Sequence, residues 1–405
     1  MNILFISDVS IKEVIGGAER VLYEQTTRLA ERANNVCIIT RKLPFHMKNQ
    51  EQIKNVKEFR YQVNRKNNFS FLLSSLIKSI KLFSRLNKEY NFDIINFHQP
   101  FSALGINLTK KSRLSKKIYT CLSLSFKEFE VRNPAPNKII PRITHKINSY
   151  LRRIIEKFSI SKSDLIIVLS EFTKHSLIEK YGIKPEKIHK IPGGVDLDTF
   201  KYVDDKKNVR QRLGLPSEIF LTFTVRNLVP RMGLENLICA MKKIKSSCQD
   251  IHLIIGGEGP LKLKLINLIK SLNLEKNIEL TGFIPHKKLP LFYQASDFFI
   301  LPTKCMEGFG LVTIEAMACG TPVLGTPVGG TKEILNGFDS SFLFEDISPQ
   351  SITELILQKY KYYKKNPDMY KKLSQRSRKY VENNYSWEKN AFKTEVLFNK
   401  LINQK

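Results

Sequence analysis

The sequence predicts an α/β protein built as two doubly wound, Rossmann-like halves, and three observations carry that expectation. Its 405 residues exceed what one ordinary core organises and suit two domains of roughly 150 to 200 residues. Short, continuous apolar runs alternate with longer segments of helical periodicity, the pattern of strands buried on both faces and covered by helices. The alternation breaks once, at "IHKIPGGVDLDTF" (188–200), where proline and paired glycines interrupt it, and then begins again.

The first half opens on "NILFIS", an apolar run ended by Asp8. After a glycine loop, "GGAERVLYEQTTRLAERA" repeats its apolar residues at helical spacing, and "NVCIIT" supplies a second strand. "FDIINFH" (92–98), "KIYTCLS" (117–123) and "DLIIVLS" (164–170) are the next strands, each preceded by a helical stretch. Of those stretches, "FSFLLSSLIKSIKLFSRLNKEY" (69–90) has a broad apolar stripe with Lys and Arg on its other side, and "THKINSYLRRIIEKFSISKSD" (144–164) is similar and more basic. Two readings stay open for such segments: a helix packed on the sheet, or one lying in a membrane interface.

The second half reads "EIFLTFTV", "IHLIIGGEG", "NIELTGFI", "DFFILP" and "TPVLGTP" as strands, with helices at 234–246, 260–272, 287–295 and 311–319 between them. From Tyr360 the chain is polar, aromatic and helical, with its only tryptophan at Trp387. The domain boundaries that follow are 1–198 and 199–387, the terminal helix 388–405 rejoining the first domain. Asp196-Leu197-Asp198 has the form of a metal-holding Asp-x-Asp, but its place in the break between halves assigns it to a turn and cap.

With 66 Lys and Arg against 38 Asp and Glu, the chain carries a formal +28. Residues 41–162 hold 26 of the cations and 7 of the acids, so +19 falls in less than a third of the chain. Such a field attracts nucleic acid, anionic head groups or phosphorylated substrates. No basic stretch interleaved with aromatics and no helix-turn-helix speaks for nucleic acid, which leaves that class a distant rival. The six cysteines form no C-x-x-C pair and no metal spacing, the pattern of a reducing compartment. The start "MNILFISDVS" lacks a basic leader region, and no window of 18 apolar residues occurs, so the expected location is cytoplasmic.

The stretch "CMEGFGLVTIEAMACG" (305–320) puts a helix after the strand "DFFILP", where parallel sheets bind ligands. The amides of Phe309, Gly310 and Leu311 can meet a phosphate there, because glycine removes the side chain that would block approach. Glu315, one turn further in, can accept bonds from two adjacent hydroxyls such as those of a ribose, while Glu307 faces a different group. Acids on both sides of an anion site suit a ligand with hydroxyls on both sides of its phosphates, a nucleotide sugar.

These residues lie in "EGFGLVTIEAMACGTPVLGTPVGGTKEIL", which is similar to the signature of the family 4 glycosyltransferases, retaining enzymes of the GT-B fold with two Rossmann-like domains facing across a cleft. The resemblance extends through "GGAERVLYEQTTRLAE", "LSEFTKHSLIEKYGI", "IPGGVDLDTF", "GGEGP", "LTGFIP" and "FYQASDFFILP". It implies that Gly16 and Gly17 approach the donor's diphosphate and sugar, and that backbone groups around Phe283 and Ile284 hold the base. Glu307 would contact hydroxyls of the transferred sugar, the amides at 309–311 the phosphate, and Glu315 the ribose. No cofactor or metal is implied beyond the donor, a UDP-, GDP- or ADP-sugar.

Two departures qualify the resemblance. Where the family has an arginine and a lysine five residues apart to neutralise the leaving diphosphate, Asn227 and Met232 stand here. Arg226 and Arg231 keep the same separation one residue earlier, and Arg231 is the first candidate because strand alternation can turn Arg226 away. Where relatives often carry a histidine after the strand "KIYTCLS", this chain has Leu122; nearby Lys127, Glu128 and Arg132 are candidates for an anionic acceptor. The implied function is retaining transfer of a sugar to a glycan or lipid-linked acceptor at the inner face of an anionic membrane. A catalytically silent transferase-like partner protein is the alternative those departures raise.

Overall fold

Four of the five residues of "NILFI" are buried, and this run forms β1 (Asn2–Ile6) at the centre of the first sheet. The computed structural model describes residues 1–14, 16–133 and 138–404, with the side chains of 68 and 69 left aside. It consists of two compact units, Met1–Gly193 with Trp387–Lys405, and Gly194–Ser386.

In the first unit β1 is followed by α1 (Gly17–Glu31), β2 (Asn35–Arg41), β3 (Gln50–Ile53), β4 (Val56–Tyr61), α2 (Asn68–Tyr90), β5 (Ile94–Phe97), α3 (Pro100–Asn107) and β6 (Lys116–Cys121). Then come α4 (Ser125–Arg132), α5 (Ile139–Ser161), β7 (Leu165–Val168), α6 (Glu171–Tyr181) and β8 (Ile188–Lys190). The sheet order is β3-β4-β2-β1-β5-β6-β7-β8, parallel throughout except for the β3–β4 pair. In β1, Ile3 stands opposite Val36 on one side and Ile94 on the other. Alternation divides the apolar side chains into two cores: Leu4, Ile6, Cys37 and Ile39 face one layer, Ile3, Phe5, Val36 and Ile38 the other.

The β3–β4 hairpin is an element the apolar pattern does not announce. "QEQI" has no apolar run, and "VKEFRY" buries charge beside Val56, Phe59 and Tyr61: Glu58 and Arg60 are both buried. The Glu58 carboxylate accepts from Ser10 Oγ at 2.8 Å, from the Ile11 amide at 2.9 Å and from Arg60 Nε at 2.7 Å, while Arg60 Nη1 donates to Glu51 at 2.8 Å. Buried charges are tolerated when paired and hydrogen-bonded, and here the Glu58 carboxylate and the Arg60 guanidinium form a buried ion pair. A second correction concerns the basic helix: α5 begins at Ile139, ahead of 144.

In the second unit α7 (Lys206–Arg212), β9 (Phe220–Val225), α8 (Leu234–Ser247), β10 (Ile251–Gly256), α9 (Lys262–Ser271), β11 (Ile278–Gly282), α10 (Leu289–Ala295) and β12 (Phe298–Leu301) lead to α11 (Leu311–Ala318), β13 (Val323–Gly325), α12 (Gly329–Phe338), α13 (Pro349–Lys365) and α14 (Pro367–Asn384). The five strands run β11-β10-β9-β12-β13, all parallel. The chain builds outward from β9 to β11, then returns to the other side of β9 with β12, which makes the β9/β12 boundary a topological switch point.

The last helix, α15 (Trp387–Asn403), belongs to the first unit; Lys405, the end of the expected 388–405 helix, lies outside the described residues. Phe398 and Leu401 of α15 enter the core with Leu22 and Leu29 of α1. Polar contacts fix the register: Gln25 Nε2 donates to Asn390 Oδ1 at 3.1 Å and Arg28 Nε to Glu388 at 2.8 Å.

Candidate functional site

The loops that leave β9 and β12 emerge side by side at the switch point of the second sheet, and the sequence puts an arginine on one and a glutamate on the other. Arg226 directly follows β9 and is buried. Its guanidinium pairs with the Glu307 carboxylate and donates to Thr303 Oγ1 at 3.1 Å; Nη2 and Nε lie 3.0 and 3.2 Å from the Met232 sulfur. Thr303 Oγ1 also donates to Glu307 at 3.2 Å. Strand alternation, the ground for ranking Arg231 ahead of it, therefore does not turn Arg226 away from Glu307. Arg231 is half-buried and braces the same loop through its backbone, with Nη1 donating to the Met306 carbonyl at 3.0 Å. Met232, standing where a family lysine would be, is buried and lies against Arg226.

Residues 307–310 are held by close backbone packing that only glycine permits. Gly310 caps α11 at φ +91°, and a Cβ there would stand 2.6 Å from Thr331 Oγ1. At the start of α12 Gly329 has φ +58°, and a Cβ there would fall 1.9 Å from the Glu307 carbonyl, which accepts from the Gly330 amide at 2.9 Å. Phe309 is buried edge-on to Tyr385, ring centres 5.9 Å apart. The first amides of α11, at Leu311 and just after, have no partner within the helix, and its N-terminal end carries partial positive charge.

Glu315, inside α11, is buried and accepts from the Tyr293 hydroxyl at 3.1 Å. Burial, and then the nearby carboxylate, push the Tyr293 hydroxyl well above its ordinary range, so it stays a donor. Phe283 does not fill core: it is 58% exposed, whereas Ile284 is buried and so close to Gly256 that a Cβ there would lie 2.5 Å from Ile284 Cδ1. Asn227, next to Arg226, is exposed. The structure thus brings Arg226, Glu307, Phe309, Gly310 and Leu311 together at the switch point. Thr303, Tyr293 and the Gly329-Gly330 clamp were not singled out from the sequence; of these Tyr293 and the glycine pair stand inside the quoted motifs, "FYQASDFFILP" and the signature.

In the first unit Gly16 and Gly17 are exposed at the start of α1, and the Gly16 amide donates to Glu19 at 3.2 Å. Leu122 is half-buried just past β6. On α4 Lys127 is half-buried; Glu128 accepts from Ser123 Oγ at 2.9 Å and pairs with Arg132. Asp196 accepts from the amides of Asp198 at 3.0 Å and Thr199 at 3.3 Å, the hydrogen bonding of an Asx turn. Among the described residues no group of three or more His, Cys, Asp or Glu is placed to hold a metal ion, and no helix is long and apolar enough to cross a membrane.

Two parallel, doubly wound units of this kind define the GT-B fold of glycosyltransferases. Residues 205–380 match the family described as Glycosyl transferases group 1 and residues 15–199 match Glycosyltransferase Family 4, and the chain belongs to this family of glycosyltransferases. It is 24% identical over 387 residues to the N-acetyl-alpha-D-glucosaminyl L-malate synthase of Bacillus anthracis, across 95% of this chain and 94% of the relative. Among solved structures, sucrose-phosphate synthase from Thermosynechococcus elongatus superimposes with a TM-score of 0.84 at 22% identity over 100% of both chains. Anabaena HepE, in complex with UDP-glucose, does so with a TM-score of 0.75 at 18% identity over 99% of this chain and 100% of its own.

Proposed function

We propose that this glycosyltransferase moves a sugar from a nucleoside diphosphate sugar to an anionic glycan or lipid-linked acceptor, with retention at the anomeric carbon, without a metal, and while attached peripherally to an anionic membrane. The observation that carries the reading is the buried Arg226–Glu307 pair beside the start of α11. A carboxylate oriented by a guanidinium and a threonine hydroxyl is suited to hold sugar hydroxyls. Helix-start amides suit the phosphates, and Glu315, held by Tyr293, suits the ribose. Arg226 and Arg231 are the cations suited to supply the countercharge a leaving diphosphate requires. In this scheme the acceptor oxygen attacks the anomeric carbon on the face from which the diphosphate departs. A donor phosphate oxygen takes the acceptor's proton, and no protein nucleophile takes part. A nucleotide-sugar donor also agrees with the UDP-glucose held by HepE.

Thermal-shift measurements against UDP-, GDP- and ADP-sugars test this: one nucleotide class raises the midpoint, by about 2.7 kcal/mol of stabilisation at a hundredfold excess over its Kd. Glu315→Ala loses most of that shift. A wild-type protein that responds to none of the three classes overturns the proposal, and an unchanged shift in Glu315→Ala overturns the ribose assignment.

A further inference from the structure

The helix α5 is packed inside out. Its buried residues are Ser149, Glu156, Ser159 and Ile160, three of the four polar, while the large apolar side chains from Ile139 to Ile154 face solvent. Ile139 and Ile140 are 76% and 77% exposed, Ile143 and Ile147 each 52%, and Leu151 and Ile154 nearly as much, with Tyr150 beside them. At 100° per residue these positions form one stripe about 120° wide, the arc a surface helix ordinarily turns toward its core. Along one flank of the stripe the same geometry places Arg142, Lys146, Arg153 and Lys157. The helix's one acid, Glu156, is buried and bonded to Tyr119 and Tyr181, so its outer surface carries apolar groups and cations with no acid among them. By contrast α2, the other amphipathic candidate, exposes Leu73 and Ile77 and buries Phe83 and Leu86, the ordinary arrangement.

We infer that α5 is the surface by which this protein docks on an anionic lipid bilayer, its isoleucine stripe entering the acyl boundary and its flanking cations meeting the head groups. This rests on the reading above of a membrane-associated transferase and names the element responsible. Charge selects the occupant: a purely apolar partner would not use the row of cations, and a nucleic acid would not use the isoleucines.

The test is co-sedimentation of the full chain with phosphatidylcholine vesicles, with and without phosphatidylglycerol, alongside the nucleotide-sugar thermal shift. The wild type binds the phosphatidylglycerol vesicles, more weakly as salt rises. Ile143→Glu with Ile147→Glu lowers that binding at least about tenfold, Arg142→Glu with Lys146→Glu removes most of its salt dependence, and Leu73→Glu with Ile77→Glu on α2 leaves it unchanged. All three pairs keep the donor shift, which shows that they fold. Vesicle binding that is unaltered by the α5 pairs while the donor shift persists overturns this inference alone; binding that is absent or indifferent to phosphatidylglycerol overturns it together with the membrane attachment in the functional reading, and a persisting donor shift then leaves the donor assignment standing. A wild-type dimer that Ile143→Glu with Ile147→Glu converts to monomer in light scattering assigns the stripe to a second copy and overturns it equally. Vesicle binding through α5 in a protein that responds to no nucleotide sugar sinks the functional reading and leaves the docking surface standing.

Discussion

The two units are built on one plan, a parallel sheet wound in both directions from a central strand, yet they spend their polar residues in opposite ways. In the second unit, a buried pair lies at the switch point, where Arg226 and Glu307 meet across the loops leaving β9 and β12, in addition to the scaffold pair of Arg210 with Asp297. In the first, it is drawn into scaffolding: Glu58 and Arg60 anchor an edge hairpin and Glu156 ties α5 to the sheet. Surface charge divides the other way, +19 of the net +28 falling between residues 41 and 162. One unit concentrates a buried ion pair where two loops leave its sheet. The other presents a broad cationic surface.

The largest effect should come from breaking the pair that distinguishes the second unit. Arg226→Met leaves the Glu307 carboxylate buried without its cation, at a cost of about 3 kcal/mol in stability, and lowers kcat by roughly 100-fold through the lost countercharge. Denaturant melts and initial rates read the two consequences separately. A variant with wild-type stability and rate would mean that the pair is dispensable.

The scaffolding charges of the first unit predict a pH effect instead. Burial holds the Glu156 carboxyl up at about 7, despite hydrogen bonds from Tyr181, Ser125 and Tyr119 that act in the other direction. The folded protein therefore keeps a proton that the unfolded chain loses near 4.5, and this group's contribution to stability falls as pH rises from about 4.5 to about 7. Glu156→Gln removes that loss, so the stability difference between variant and wild type grows across this window, to about 3 kcal/mol in the variant's favour, and is level above it. Melting midpoints at several pH values measure it; a difference independent of pH would show Glu156 to be ionised throughout.

How far each unit could be read from sequence follows the same division. All five strands of the second sheet fall in the short runs expected for them, and the helices expected at 234–246, 260–272, 287–295 and 311–319 lie within a few residues of those limits, whereas α7 and α12 were not expected and α13 begins ahead of Tyr360. The hairpin of the first unit was invisible because β3 has no apolar run and β4 interrupts its buried Val56, Phe59 and Tyr61 with an equally buried ion pair, Glu58 with Arg60. Periodicity likewise marked the basic helix without telling which side of it faces the core, since the stripe reads the same in either orientation. At the site, the helix start and its two glutamates were legible as a local motif. The Arg226–Glu307 contact joins residues 81 positions apart, and no local pattern encodes which of two nearby arginines reaches across.

The smallest predicted effect addresses the departure in the first unit. Leu122→His restores the side chain that relatives often carry after this strand, and because the proposed mechanism takes the acceptor proton on a donor oxygen, the rate should change by less than about tenfold, below the usual gain from an added general base. A rise of several hundredfold, read in a transfer assay with the preferred donor, would show that the wild type lacks a group its chemistry needs.

The contribution of α15 to the first unit has a consequence for how the protein is made. The second unit has all its residues once Ser386 has been synthesised, whereas the first still lacks Phe398 and Leu401, which close its core against α1. During synthesis the amino-terminal unit must wait, part of its apolar face uncovered, while nearly two hundred further residues emerge and assemble. The unit that begins first finishes last, and the interval is the period in which the nascent chain is most exposed to chaperones and to aggregation.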